Sequence, residues 1–238
     1  MEFRKLGEIS LSDEGTWRDA VFLTFDVDWA CDEILLDTIE IVKAAGVSAT
    51  FFATHDTPLL ARLRKNPLFE VGMHPNFNEI LRGTPKAGGM SAAEVVDALA
   101  LIVPEARSFR SHSLSWGDVI SQAIRSVGIS TVSNCLIPEQ SGMVLKPYAD
   151  WYGLVHAPYF YQDSACFFFQ ENSSLHQLAK RDGLKVFDFH PMNVYLNSER
   201  QERYEELRPF VREPSHLLKH RYDGEGSRSS LLRLLELG

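Results

Sequence analysis

One apolar run constrains this chain more than any other feature, because it ends in two carboxylates. Residues 21–23 are apolar, Asp26 and Asp28 follow them, and a segment with helical spacing begins near Asp32. Such a run predicts a buried strand, and acidic residues at a strand end lie at the mouth of an α/β sheet or barrel, where ligands and metals bind. Since residues i and i+2 of an extended chain share a face, both carboxylates are predicted to point at one site. The alternative is that one of them caps the helix and the other is solvated.

Predicted strands and helices alternate through most of the chain. Leu35, Ile39 and Val42 have helical spacing, and Gly46 follows as a residue that ends a helix. Further helices are predicted at about 59–64 and, after the cap Ser91, at about 92–102. Strands are predicted at about 20–25, 47–54, 69–73, 108–110, 131–133, 155–157 and 184–189. This alternation is typical of a parallel α/β sheet or barrel.

The chain is predicted to form a single domain spanning residues 1–238. A length of 238 residues suits one large α/β domain, and no internal repeat or linker divides it. The core is expected at about 20–195, and a charged, mostly helical extension at 198–238 either covers the base of the barrel or forms a dimer contact. A Gly/Pro/Lys-rich stretch at 83–89 is interpreted as a flexible loop.

Charge and cysteine content narrow the class of protein. The net charge of −8 argues against a nucleic-acid binder, which needs a basic footprint. Cys31, Cys135 and Cys166 form no CxxC pair, so neither a zinc ribbon nor a disulfide framework is indicated, and free thiols favour a reducing compartment. The N-terminus shows no signal segment and no apolar run approaches the roughly 18 residues of a membrane span. We therefore predict a cytoplasmic protein.

Four polar clusters follow predicted strands, and together they resemble a known family. The clusters are 24–28 (Thr-Phe-Asp-Val-Asp), 74–78 (His-Pro-Asn-Phe-Asn), 109–112 (Phe-Arg-Ser-His) and 187–191 (Phe-Asp-Phe-His-Pro). With the strand at 46–52 (Gly-Val-Ser-Ala-Thr-Phe-Phe), they resemble the polysaccharide deacetylases, the NodB-homology carbohydrate esterases, over about residues 21–193. The subgroup associated with O-antigen biosynthesis, whose acidic motif also reads Asp-x-Asp-Trp, is the most similar. The resemblance implies an α/β fold, a single-domain distorted (β/α) barrel. It also implies an enzyme that removes acetyl groups from sugars with a bound divalent metal.

The resemblance implies three catalytic residues. Asp26 matches the base that takes a proton from the attacking water, Arg110 matches the arginine that braces this base, and His190 matches the acid. Asp188 precedes His190 by two residues and shares its strand face, so it is interpreted as orienting that imidazole or raising its basicity. The alternative for Asp188 is a buried hydrogen-bonding residue without a catalytic part. The family's aspartate near the middle of the chain has only a faint match, around 133–134.

The resemblance also implies a metal site. Asp28 and His74 match two of the family's ligands, although one residue separates the two carboxylates that are usually adjacent. Asn78 stands where the second histidine is expected, and His112 or His55 is available to restore a nitrogen ligand. The expected cofactor is one divalent ion, with zinc as the first candidate. Manganese or cobalt are alternatives, because oxygen ligands such as Asn78 suit metals harder than zinc.

These residues predict the chemistry of an acyl hydrolase. Attack of water on an amide needs an activated nucleophile, a Lewis acid and an acid for the leaving amine. Trp29, beside the acidic motif, is predicted to stack on a sugar, whereas Trp116, Tyr159 and Phe160 are expected in the core.

The predicted function is removal of an acetyl or similar acyl group from an amino-sugar substrate by a metal-dependent hydrolase, in O-antigen or related glycan biosynthesis. Two alternatives stay open. One is hydrolysis of a non-sugar amide with an altered metal or none, and the other is a non-catalytic sugar-binding scaffold. The sequence predicts no oligomeric state.

Overall fold

Ten strands form one sheet in the computed structural model, which describes residues 1–83, 89–168 and 174–238. The strands are β1 (Glu2–Arg4), β2 (Ala20–Asp26), β3 (Ala49–Ala53), β4 (Phe69–Met73), β5 (Ser108–Phe109), β6 (Thr131–Val132), β7 (Tyr148–Ala149), β8 (Val155–His156), β9 (Tyr161–Gln162) and β10 (Lys185–Phe189). Their order is β7-β8-β6-β5-β4-β3-β2-β10-β9, with β1 paired to β2 outside this path. The β7–β8 pair is antiparallel, and the other pairs are parallel.

Helices connect these strands, as the predicted alternation requires. They are α1 (Asp32–Ala45), α2 (Leu59–Lys65), α3 (Asn78–Leu81), α4 (Ala92–Ile102), α5 (Asp118–Ser126), α6 (Leu175–Ala179), α7 (Pro191–Leu196), α8 (Gln201–Leu207), α9 (Pro214–Lys219) and α10 (Ser227–Leu235). Within the described ranges β7 and β9 end the sheet without pairing to each other, so the sheet is a half-barrel. The predicted distorted α/β barrel is confirmed.

Strand β2 lies at the centre of the sheet. All seven of its residues are buried. Both of its edges are paired, one with β10 and the other with β1 and β3, which pair with its residues 20–22 and 24–26. A parallel strand covered on both faces reads as a continuous apolar run. This explains the apolar segment before Asp26, which ends the strand.

Two predicted helix signals are confirmed. Helix α1 buries Leu35, Ile39 and Val42, and it ends at Gly46 with φ 69°, a left-handed conformation that glycine adopts without steric cost. Ser91 caps α4, since its side chain accepts a hydrogen bond from the backbone N–H of Glu94.

The C-terminal extension lies on the same side of the sheet as α1. Helix α7 packs against α1 and α10, and a second apolar cluster joins α7 to α8 and α9 through Tyr195, Leu207 and Leu217. Beyond α10, the carbonyl of Leu237 accepts a hydrogen bond from the N-terminal amine of Met1 at 2.6 Å. The end of the extension therefore contacts the start of the chain.

Some elements differ from the sequence predictions. Strand β1 and helix α5 are not among the predicted elements: β1 has three residues, and its pairing is with residues 20–22 of β2. The stretch predicted as a loop at 83–89 lies largely outside the described residues. Among the described helices, none has the length and apolar character needed to cross a membrane.

Candidate active site

The four predicted clusters meet at one edge of the sheet. Asp26 is the last residue of β2, His74 follows β4, Arg110 follows β5 and His190 follows β10. Because these strands are parallel neighbours within one sheet, their carboxyl ends open on the same side. The structure thus brings together residues that are far apart in the chain. The side chains of Thr24 and Asp188, for example, hydrogen-bond although 164 positions separate them.

A turn after β2 sets the direction of the second carboxylate. Asp28 and Trp29 have φ values of 44° and 57°, which are unusual for residues with side chains and costly for a bulky one. The N–H of Trp29 donates a hydrogen bond to Thr54 Oγ1 at 3.2 Å and holds this turn against the end of β3. The turn accounts for the extra residue between the two carboxylates, since the chain is no longer extended at Asp28.

Asp28 lies between two imidazoles. Its Oδ1 is 3.2 Å from His74 Nε2 and 2.9 Å from His112 Nδ1. Ligand atoms of the three residues all lie within 4.8 Å of one another, so this cluster could hold a metal ion. Burial alone would raise the pKa of Asp28, but the hydrogen bonds from His112 and His74 outweigh it and hold the pKa well below its usual range.

The other two candidate ligands have different surroundings. The Asn78 side-chain amide donates a hydrogen bond to Ser113 Oγ at 3.1 Å, and the part of Asn78 as a ligand stays a prediction. His55 Nδ1 hydrogen-bonds Thr54 Oγ1 at 2.8 Å. His112 is therefore the residue that the structure places beside Asp28 and His74. Trp29 is 44% exposed, and its ring lies edge-on 5.1 Å from that of His112.

Arg110 is fully buried beneath this cluster, between two carboxylates. Its Nη1 donates to Asp26 Oδ1 at 3.0 Å and also to Asp188 Oδ1. Its Nε donates to the carbonyl of Ser133 at 2.7 Å, and its guanidinium stacks on the ring of Tyr159 at 4.3 Å. The predicted contact between Arg110 and Asp26 is present, and the faint match around 133–134 supplies a partner of Arg110.

His190 has a partner that the sequence analysis does not name. Its Nδ1 lies 2.7 Å from Asp163 Oδ1, and its backbone N–H donates to Asp163 Oδ2 at 2.9 Å. Asp188 does not orient this imidazole, because it hydrogen-bonds Thr24, Arg110 and Gln162, but its carboxylate contributes to raising the pKa of His190. The signal for Asp163 was an aspartate two residues after an aromatic run, 159–161.

Asp163 also sets the charge of the imidazole. Burial lowers the pKa of His190, but the Asp163 carboxylate outweighs burial and raises the pKa well above its usual range. The free ring nitrogen, Nε2, lies 3.7 Å from Asp28 Oδ2. His190 therefore has one ring nitrogen on Asp163 and the other beside Asp28.

An aromatic cleft of about 310 Å³ continues along the same edge, beyond β5 and β8. Trp116 lies four residues after His112 and is 39% exposed, so the expectation that it packs in the core is wrong, whereas Tyr159 and Phe160 are buried as expected. The ring of Trp116 lies 5.2 Å from that of His156, which stacks on Tyr148 at 4.8 Å. Trp151, 89% exposed, also lines this cleft.

Comparison with known proteins assigns this fold and site to a class. The WbmS protein of Bordetella bronchiseptica, assigned to the polysaccharide deacetylases and to O-antigen biosynthesis, has a solved structure with a TM-score of 0.94 and 39% sequence identity, covering 99% of this chain and 98% of that one. The fold is that of a carbohydrate deacetylase. The model of the WbmS-like polysaccharide deacetylase family matches residues 23–208. The chain belongs to this family, and the predicted resemblance is confirmed.

Other solved structures are more distant. A family 4 carbohydrate esterase from Streptomyces lividans has 14% identity and a TM-score of 0.45, covering 91% of this chain and 87% of that one. A CE4 family pseudoenzyme from Bacillus anthracis has 16% identity and a TM-score of 0.41, covering 84% and 61%. Scores this low carry no argument about the site. No curated protein matches the sequence.

Proposed function

We propose that this chain removes an acetyl or similar acyl group from an amino-sugar unit of a glycan, with a divalent metal bound at the strand-end site. The observation that carries the proposal is the position of Asp28: one carboxylate oxygen faces the imidazoles of His74 and His112, and the other faces His190. A cation site and a proton donor therefore adjoin one another. The Bordetella bronchiseptica relative supports O-antigen biosynthesis as the context.

The donor atoms fit a divalent metal. Two imidazole nitrogens converge on one carboxylate oxygen, which is the His/carboxylate combination of catalytic zinc sites, so Asp28, His74 and His112 would hold the ion, with zinc as the first candidate. When bound, the ion would polarise the scissile carbonyl and lower the pKa of water.

Asp26 and His190 divide the proton transfers. The Asp26 carboxylate, held by Arg110, would take the proton from the attacking water, and His190 Nε2 would give a proton to the leaving amine. The hydrogen bond from Nδ1 to Asp163 leaves Nε2 directed at the cluster. The residues thereby supply a base and an acid on the two sides of the reacting amide.

Asp163→Asn is expected to move the alkaline limb of the pH–rate profile to lower pH. Asp163 raises the pKa of His190, so the acid form persists to higher pH in the native protein and is lost earlier in the variant. The kcat near neutral pH should fall about 10-fold to 100-fold, less than the full loss of an acid catalyst. The pH dependence of kcat measures both effects. Gln162→Leu, which removes a neighbouring hydrogen bond to Asp188, serves as the control. An unshifted limb in Asp163→Asn would contradict this role.

The aromatic cleft supports a substrate longer than one sugar. Exposed aromatic rings offer flat apolar faces of the kind on which sugar rings pack, and the lining of the cleft begins at Trp116, four residues after His112 in the chain. Trp29 would stack on the sugar nearest the site.

Trp151→Ala is expected to raise the KM for an acetylated oligosaccharide about 2-fold to 10-fold with little change in kcat, the cost of one lost aromatic contact. The KM for a monosaccharide should stay the same. Leu101→Ala, which truncates a side chain 85% exposed on α4, is the matched control. Equal changes in the KM for the monosaccharide and the oligosaccharide would exclude the cleft as a binding surface.

Acetate release from N-acetylated glycans tests the proposed function. The purified chain, incubated with zinc, manganese or cobalt, should release acetate from at least one N-acetylated amino-sugar oligosaccharide, and Asp26→Asn should not. Release from simple amides but not from glycans would favour a non-sugar amidohydrolase. Glycan binding without release under any metal would favour a binding scaffold.

A further inference from the structure

A cavity of about 150 Å³, lined by residues that carry polar groups, adjoins the proposed catalytic residues on the side of the C-terminal helices. Its walls come from the turn after β2, the loop after β9, the end of β10 and helices α7 and α8. The lining residues are Asp28, Ser164, His190, Asn193, Gln201 and Tyr204. Since it borders both Asp28 and His190, a group attached close to the reacting amide would enter it.

The Asn193 side chain has no hydrogen-bond partner for its buried Oδ1, although the residue is only 2% exposed. Its backbone is well held, because its carbonyl accepts from the N–H of Ser198 at 3.0 Å. A buried amide oxygen without a donor is unfavourable and uncommon in folded proteins. Asn193 is one of the residues that line the cavity, so a bound group with a hydrogen-bond donor is a candidate partner for this oxygen.

The chemistry of the walls restricts the occupant. Ser164 and Tyr204 bring hydroxyls, Asn193 and Gln201 bring amides, and no aliphatic side chain is among the lining residues. Burial, followed by the nearby Asp28 carboxylate, raises the pKa of Tyr204. A hydrocarbon group would leave these polar groups unpaired. The walls are complementary to a neutral group with hydrogen-bond donors and acceptors.

We propose that this cavity is a substrate subsite that binds a neutral hydroxyl or amide group next to the scissile acyl group, with Asn193 selecting for it. This inference rests on the proposed function, because it places the reacting amide between Asp28 and His190. The group belongs either to the acyl part, as in a hydroxyacyl substituent, or to the neighbouring position of the sugar ring. The volume equals that of about five water molecules, which suffices for such a group.

Matched pairs of small ligands test the subsite by calorimetric binding, independently of turnover. Acetate and glycolate form the acyl pair, and glucosamine and 3-deoxyglucosamine form the sugar pair, each titrated into the full chain reconstituted with zinc. We expect the hydroxylated member of one pair to bind at least tenfold more tightly than its partner, a difference of about 1.4 kcal/mol. The pair that shows the preference identifies the source of the group.

Two variants assign the preference to the cavity. Asn193→Leu and Tyr204→Phe should each reduce the tenfold preference to less than threefold, and circular dichroism checks that both are folded. Tyr195→Phe removes a hydroxyl that bonds the carbonyl of Pro214 outside the cavity and should keep the full preference. Equal binding within both pairs, failure of the hydroxylated ligands to bind, or a preference that survives both cavity variants would overturn the subsite. Failure of acetate release from glycans would instead contradict the proposed function, since binding is read without turnover.

Discussion

Arg110→Ala is expected to lower the free energy of unfolding by about 3–5 kcal/mol, the cost of removing one partner from a buried ion pair. Arg110 is 0% exposed and donates to both Asp26 and Asp188, which are themselves buried. Without the guanidinium, the two carboxylates would lie in a dry environment with no positive charge between them. Burial already raises the pKa of Asp188 against the effect of Arg110, so this carboxylate would take up a proton in the variant. Urea denaturation near neutral pH measures the loss.

A surface pair provides the control for Arg110. Arg228 contacts Asp37 through two hydrogen bonds, one of them at 3.2 Å, but both side chains are more than a fifth exposed. Arg228→Ala should therefore cost only about 0–1 kcal/mol. If Arg110→Ala lowered the free energy of unfolding by no more than this, Arg110 would not be the main stabiliser of the buried carboxylates. Its part would then be limited to holding Asp26.

Much of the fold could be predicted because local patterns coincide with tertiary ones in this chain. Strand β2 is a continuous apolar run since it is buried on both faces, and α1 carries both its apolar spacing and its terminal Gly46 in the sequence. Polar residues at strand ends are also a local signal, and parallel topology alone brings them together. The positions of Asp26, His74, Arg110 and His190 at one edge therefore followed from the order of strands and helices.

The pairing of side chains within the site could not be predicted in the same way. Asp163 meets His190 because β9 and β10 are neighbours at the end of the sheet, and β9 has only two residues. Sharing a strand face suggested Asp188 for this role, but Arg110 reaches it from β5 across the sheet. Such contacts depend on strand order and on the reach of long side chains. Neither can be inferred from the spacing of residues within one strand.

The spacing of the two acidic residues shows how backbone conformation decides a ligand set. In an extended chain Asp26 and Asp28 would point the same way. The left-handed turn at Asp28 and Trp29 instead directs Asp28 to the two histidines, while Asp26 stays in the strand beside Arg110. The proposed base, Asp26, and the proposed metal ligand, Asp28, thus have different surroundings although one residue separates them.

His112→Ala is expected to abolish metal binding, whereas Asn78→Ala should keep it. His112 Nδ1 lies 2.9 Å from Asp28 Oδ1, close to where an ion shared with His74 would be held, while the amide nitrogen of Asn78 is engaged by Ser113. Imidazole is also a better zinc ligand than a neutral amide oxygen. Elemental analysis of the purified variants should give about one zinc per chain for the native protein and for Asn78→Ala, the stoichiometry of a single catalytic site.

Activity should follow the metal content. Loss of the Lewis acid removes several kcal/mol of transition-state stabilisation, so His112→Ala and Asp28→Ala should release acetate on the order of a thousandfold more slowly.

The comparison of His112 with Asn78 separates two explanations of the altered histidine motif. Retention of zinc by His112→Ala, with its loss from Asn78→Ala, would mean that the amide is the third ligand and would shift the expected metal toward harder ions. The opposite result would mean that the nitrogen ligand missing after β4 is supplied from the end of β5.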